Sequence, residues 1–143
     1  MIYRIFPFHV VEDEVMSFIN NNHEKNMIDK ADINVDWDYY RALSHAGNGY
    51  VVLSMDDNGI NGVAGYQLSE DPNNKDIIEA SNVVLSLINR ANGAAKDFLK
   101  ESNALLRGVG ADKVSFTLCN EKLGRFLKIN GFNAEATVYG VSL

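Results

Sequence analysis

The stretch with the most chemical content is Arg90-Ala91-Asn92-Gly93-Ala94-Ala95, which lies between the end of an apolar strand and the start of a long helical stripe. A turn of this kind exposes several backbone N–H groups at a helix N-terminus. Those groups and the positive end of the helix dipole favour an anion, above all a phosphate. Gly93 and its two alanines would let a ligand approach the main chain closely. An ordinary strand-to-helix turn with small packing residues accounts for the same composition. The stretch is neither a Walker A loop, which needs Gly-Lys-Ser/Thr, nor a GxGxxG fingerprint.

Other chemistry-bearing residues offer less. His9, His23 and His45 show no metal-ligand spacing, so no metal site is expected. Cys119 is the only cysteine, which excludes internal disulfides and cysteine-based zinc sites and points to a reducing compartment. At the end of an apolar strand it reads as a small buried hydrophobe rather than an acylated nucleophile. No GxSxG elbow supports a serine hydrolase. Glu79 is a strand carboxylate on the face that Ser81 and Val83 share by alternation. Trp37, Tyr39 and Tyr40 read either as a helix packing face or as the lining of a substrate cleft, and Tyr66 and Asp56 are further candidates for such a cleft.

The elements that must position these groups are set by hydrophobic period and turn residues. Ile2 to Phe8 reads as a strand ended by Pro7, and Val11, Val15, Phe18 and Ile19 as one helical face. Asp36 is a plausible N-cap for a short helix that Gly47 and Gly49 stop. Two strands, YVVLSM and VAGYQL, flank the hairpin signal Asp57-Asn58-Gly59. DPNNKD is a turn, and IIEASNVVLSL is a strand. Ala95, Phe98, Leu99, Ser102, Leu105 and Leu106 form a helical stripe closed by Gly108. VSFTLC, from Val114 to Cys119, is a buried strand, and Leu123, Phe126 and Leu127 mark a helix ahead of an Asn130-Gly131 cap. Ala134 to Leu143 is expected as a last strand. The step from Val83–Leu87 through a helix to Val114–Cys119 is βαβ-like, so those strands are expected to be parallel neighbours. The fold class is therefore mixed α/β: a central, mostly antiparallel sheet with one parallel pair, covered by helices.

Composition bounds the rest. The 143 residues suit a single domain, spanning residues 1–143, with 46% apolar and 22% charged residues. Thirteen basic against 19 acidic residues give a net charge of −6, which disfavours nucleic acid and anionic membranes as partners. No apolar stretch approaches the ~20 residues that a membrane span requires, and the start of the chain does not read as a signal peptide. A cytoplasmic protein is expected.

The signature stretch resembles the R/Q-x-x-G-x-G/A pattern of the GNAT superfamily, the acyl-CoA-dependent N-acyltransferases. A second resemblance lies in NEKLGRFLKINGF, Asn120 to Phe132, which is similar to the family's C-terminal helix with its leading Asn and closing Gly-aromatic pair. The hairpin DDNGINGVAGY is similar to the family's second and third strands, with Gly62 where a small residue is usual. Element order matches over nearly the whole chain, and VDWDYYRAL looks most like small phage-encoded members.

What the resemblance implies is specific. The diphosphate of acetyl-CoA, the expected co-substrate, would lie on the amides of Ala91, Asn92, Gly93, Ala94 and Ala95, with Arg90 nearby. The pantetheine arm would add to the backbone of Val83 to Leu87, where the parallel strands splay apart, with amides around Leu85 polarising the thioester carbonyl. Asn120 would contact the arm, a role compatible with helix capping. Glu79 stands where some members carry a carboxylate that acts through water. Two departures stand out. Leu127 occupies the position of a Tyr that protonates the departing thiolate, and Leu87 replaces a frequent Pro. A thiol pKa near 8.5 lets the thiolate leave without full protonation, and a positioned acid contributes ~10²–10⁴-fold, so the loss weakens catalysis without abolishing it. The expected activity is direct acetyl transfer to a primary amine, on a small molecule or a protein, the acidic surface favouring a cationic acceptor. The competing expectation is a catalytically inactive GNAT-fold protein with a binding or virion-associated structural role. A homodimer or a phage virion partner stays open.

Overall fold

The computed structural model describes residues 1–22, 35–88, 93–117, 121–135 and 139–143. Among the described residues five strands form one sheet in sequence order: β1 (Ile2–Pro7), β2 (Gly49–Asp56), β3 (Gly59–Asp71), β4 (Asn74–Leu87) and β5 (Lys113–Ser115). β1 to β4 are antiparallel and β4 pairs with β5 in parallel, as the βαβ-like spacing requires. Helices α1 (Glu12–Asn22), α2 (Trp37–His45), α3 (Ala94–Gly108) and α4 (Glu121–Ile129) flank it. No described helix is long and apolar enough to cross a membrane.

Each face of the sheet buries its own cluster. Phe8, Val15, Phe18, Ile19 and Tyr40 pack with Val51, Leu53, Val63 and Val84 on the α1/α2 side. Val52, Ala64, Tyr66, Ala80, Leu85 and Leu87 meet Phe98, Leu99, Leu106, Leu123 and Leu127 on the α3/α4 side. Adjacent residues such as Val51 and Val52 therefore enter opposite cores, which is why β2 reads as a continuous apolar run.

Local signals explain the boundaries. The Asp36 carboxylate accepts from Tyr39 N at 3.1 Å and caps α2. The β2–β3 hairpin turns through Asp57-Asn58, with Gly59 at φ +111° and the Asp56 carboxylate accepting from Asn58 N at 2.7 Å. α4 ends at Gly131, φ +89°, with Phe132 N donating to Leu127 O at 3.0 Å, the Schellman closure that Asn130-Gly131 predicts.

The fold departs from the sequence expectations in three places. The strand expected from Val114 to Cys119 is confined to Lys113–Ser115; Phe116 and Thr117 lie outside the sheet, and residues 118–120 outside the described residues. Of the expected last strand, Ala134 to Leu143, the described residues 134–135 and 139–143 form no strand, Tyr139, Val141 and Leu143 are exposed, and 136–138 lie outside the described residues. Alternating apolar residues favour a strand only when a sheet edge receives them. β4 also starts earlier than its apolar run, at Asn74, because polar residues pair across the short Asp71–Asn74 turn.

Two contacts can be tested by substitution. A Cβ at Gly62 would lie 2.6 Å from Leu87 Cδ2 and 2.7 Å from Ser54 Oγ, so Gly62→Ala is expected to cost ~1–3 kcal/mol in urea unfolding. Arg41 grips Glu12 through bonds of 2.5 and 2.7 Å, which holds the Glu12 carboxyl below its ordinary value. A depressed carboxyl stabilises the fold above its unfolded pKa and loses that contribution as pH falls through the folded one. Glu12→Gln should therefore melt below the parent at pH 7 and level with it near pH 3, measured by circular dichroism.

Candidate functional site

β4 and β5 are in register at only three positions: Glu79 with Lys113, Ala80 with Val114, and Ser81 with Ser115. The last pair is joined by a 3.3 Å hydrogen bond between the two serine hydroxyls. Beyond it β5 ends, and among the described residues no strand pairs with Asn82–Leu87 on that side. The two parallel strands part company at Ser81 and Ser115, leaving backbone groups of β4 along an open edge.

At the same point β4 is bulged. Gly65 pairs with Val84 and Tyr66 with Asn82, so Val83 is the extra residue. Alternation breaks as a result: Ala80 and Leu85 share the α3/α4 core, while Val83 and Val84 both face the α1/α2 side. Three neighbours secure the bulge. The Asn82 side-chain amide donates to Gly65 O at 3.1 Å and to Val84 O at 2.9 Å. The Tyr40 hydroxyl donates to Tyr50 O at 2.6 Å and accepts from Tyr66 N at 3.1 Å. It has one proton, so the 3.2 Å approach to Tyr66 O is secondary. A Cβ at Gly65 would meet Val84 Cγ1 at 2.9 Å and Tyr40 Oη at 3.1 Å, so only glycine fits there.

Past the open edge, α3 begins. Gly93 is its N-cap, exposed and left-handed at φ +76°, and as a glycine offers no side chain to cap the helix. The Gly93 carbonyl accepts from Asp97 N at 2.9 Å. A Cβ at Gly93 would meet nothing within 4 Å. Ala94 is half-buried, and Ala95 packs into the core and anchors the first turn. Arg90, Ala91, Asn92 and Asn120 lie outside the described residues, as do Cys119 and His23.

Among the described residues, cavities border β4 on both sides of the sheet. One, of about 890 Å³, lies between β5, α4 and the C-terminal half of α3, with Glu79, Arg107, Phe116, Leu127 and Phe132 in its wall. The other, of about 240 Å³, lies under α2, lined by Asp36, Tyr39, Tyr40, Gln67 and the bulged Val83. Glu79 and Leu85 are six residues apart on one strand, roughly 20 Å at the usual rise. The structure brings Glu79 beside Lys113, whose ammonium is ion-paired with Glu135 and shifted upward by it.

The aromatic candidates divide. Tyr39 is exposed and lines the smaller cavity. Trp37 stacks on Phe8 at 5.6 Å, as a packing residue does. Tyr66 does not reach that cavity; it is buried in the opposite core, where burial pushes its phenol upward, and it stands edge-on to Phe116 at 6.2 Å. Asp56 serves the hairpin, held below the ordinary range by Asn61 and the Asn58 amide. His9 and His45 stack at 4.0 Å, and the His9 ring bonds Ser44 Oγ at 2.8 Å. No described group of His, Cys, Asp and Glu could hold a metal. Sequence reasoning missed Asn82 and the Tyr40 hydroxyl. Their signals were an amide side chain inside a β-branched run and a tyrosine on the buried stripe of α2.

This arrangement, a bulged strand parting from its parallel neighbour ahead of a helix with glycine as its N-cap, sits on a fold shared with acetyltransferases of known structure. An aminoglycoside acetyltransferase from an uncultured soil metagenomic sample, solved in complex with trehalose, superposes with a TM-score of 0.69 at 14% identity over 99% of this chain and 94% of its own. A predicted acetyltransferase from Clostridium acetobutylicum, solved with acetyl-CoA, gives 0.69 at 18% identity over 99% and 95%. A GNAT family acetyltransferase from Staphylococcus aureus gives 0.65 at 13% identity over 99% and 98%. The fold is therefore that of the GNAT acetyltransferases. No protein-family model matches the chain, and no curated protein matches it by sequence.

Tyr40→Phe removes the hydroxyl from a buried position between Tyr50 O and Tyr66 N. It is expected to cost ~1–3 kcal/mol, read from denaturant midpoints.

Proposed function

We propose that the chain, acting as one domain, is an acetyl-CoA-dependent N-acetyltransferase that transfers acetyl directly to a primary amine. The observation that carries this reading is the conjunction, among the described residues, of the α3 N-terminus with its exposed glycine cap at Gly93 and the end of β4–β5 pairing at Ser81. In this reading the acetyl-CoA diphosphate accepts hydrogen bonds from amides of Ala91 to Ala95, where the helix dipole favours its charge. Arg90 adds a cation. The pantetheine amides pair with the free backbone of Val83 to Leu87 as a short added strand, and Asn120 takes the arm from the α4 side.

The bulge then has a chemical use. An amide in the Val83–Leu85 stretch, released from regular pairing, donates to the thioester oxygen as charge develops there. The amine enters from the α2 side, where Val83 and Tyr39 line the smaller cavity. It attacks as the neutral base, the nitrogen of the tetrahedral intermediate gives its proton to water, the carbon–sulfur bond breaks as the carbonyl re-forms, and coenzyme A leaves as thiolate. Glu79 lies about 13 Å along β4 from Val83, so it takes the ammonium proton only through a chain of waters. Leu127 is buried and carries no proton, so the thiolate departs by its own stability. The acceptor class draws support from a neighbour: the soil acetyltransferase has also been solved with sisomicin, an amine-rich aminoglycoside.

Leu127 favours a second reading, a GNAT-fold protein that binds coenzyme A without turnover. Melting curves and turnover separate the two. Acetyl-CoA at 100 times its dissociation constant adds ~2.7 kcal/mol, or about 5–10 °C for a chain of this size. A shift with thiol release across an amine panel supports the enzyme, a shift without release supports the binding protein, and no shift at millimolar acetyl-CoA contradicts both. Gly93→Val places a branched side chain where the diphosphate would lie and should remove the shift. Glu79→Gln should leave the shift intact and lower kcat/KM about 100-fold. An unchanged kcat/KM removes Glu79 from the mechanism.

A further inference from the structure

We propose that the acceptor is a small linear diamine or polyamine, whose reacting amine enters the cavity under α2 while a second, protonated nitrogen is held by the Asp36 carboxylate. The inference rests on the acetyltransferase reading above. The sheet separates two helical layers of opposite charge. On one side α1, α2 and the Asp36 cap carry five carboxylates, Glu12, Asp13, Glu14, Asp36 and Asp38, against one lysine or arginine. That one is Arg41, already tied to Glu12 at 2.7 Å and to Asp38 at 2.9 Å. On the other side α3 and α4 carry six lysines and arginines against three carboxylates. Such a field draws a cation to the α1/α2 side and an anion, as coenzyme A is, to the other.

The cavity itself limits size and shape. At about 240 Å³ it lies below the roughly 300–1,000 Å³ of sites for drug-sized ligands, so an aminoglycoside overfills it. Its wall joins the apolar Val35, Leu43 and Val83 to the Tyr39 ring and the Asp36 carboxylate. A methylene chain between two nitrogens has the same pattern. Asp36 gives one lone pair to Tyr39 N at 3.1 Å, and a carboxylate offers about three more. Tyr39 is 57% exposed and adds a ring face to an ammonium at the mouth. Val83 lies at the bulge, where the thioester would be met by the neutral end of the diamine. That nitrogen loses one proton to water as the acyl carbon passes to it from sulfur, and coenzyme A leaves as thiolate. The product is the monoacetylated diamine, its distal nitrogen protonated throughout.

Thiol release at saturating acetyl-CoA compares diaminobutane, butylamine, sisomicin and a peptide with a free N-terminus. Diaminobutane is expected to exceed butylamine in kcat/KM by roughly tenfold, and high salt should remove most of that ratio. Asp36→Asn removes the charge but keeps the helix cap, since Asn caps as well as Asp. It should raise KM for diaminobutane about fivefold and leave butylamine turnover and the melting temperature nearly unchanged. Three results overturn the proposal while leaving acetyl transfer in place: butylamine equal to diaminobutane, a preference for sisomicin or the peptide, or a diaminobutane KM untouched by Asp36→Asn. If no amine releases thiol, calorimetry with diaminobutane decides. Binding that Asp36→Asn weakens supports the site and refutes the transfer reading, and absence of binding overturns the proposal.

Discussion

A β-strand can leave its neighbour only if its backbone groups find other partners, because an unpaired buried N–H or C=O costs about as much as a lost hydrogen bond. Where its pairing with β5 ends, β4 is also irregular toward β3. Val83 is squeezed out of register, and Asn82, Tyr40 and glycine at position 65 hold the irregularity in place. The remainder of β4 stays zipped to β3 while its other edge is released from β5. Had β5 continued along β4, the sheet would have been closed between α3 and α4, with no path for a ligand.

The two faces of the sheet acquire different duties from the same irregularity. On the α3/α4 side, Leu85 and Leu87 remain in the core and fix the exit of β4, so that α3 starts where the open edge ends. On the α2 side, Val83 is pushed toward Tyr39 and Gln67 and becomes part of a cavity wall. A thioester held on the open edge would thus face a small compartment reached from the opposite layer. In the proposed reaction coenzyme A and amine would occupy the two sides together, as direct transfer requires.

Much of this was legible from residue order. Hairpin, caps and the α3 stripe have local causes: Asn58-Gly59, the Asp36 cap, and the spacing of Ala95, Phe98, Leu99 and Ser102. The parallel pairing of β4 with β5 followed from the helix between them. The bulge was not legible, because Asn82-Val83-Val84-Leu85 contains no glycine or proline to mark it. Its cause is tertiary: a hydroxyl on α2 and a carboxamide on β4 that meet only after folding. The early end of β5 was hidden for a related reason, since Phe116 has high strand propensity but turns into the aromatic contact with Tyr66 and Phe132 instead. The tail shows the opposite failure. Tyr139, Val141 and Leu143 carry a strand pattern that no edge within the described fold receives.

The most direct measurement is the amide proton–nitrogen spectrum of the labelled protein titrated with coenzyme A. Large shifts at Gly93, Ala94 and Ala95 together with Val83 to Leu87, and none along β1 or β2, are the predicted result. Saturating coenzyme A that leaves those eight amides unmoved would contradict the account.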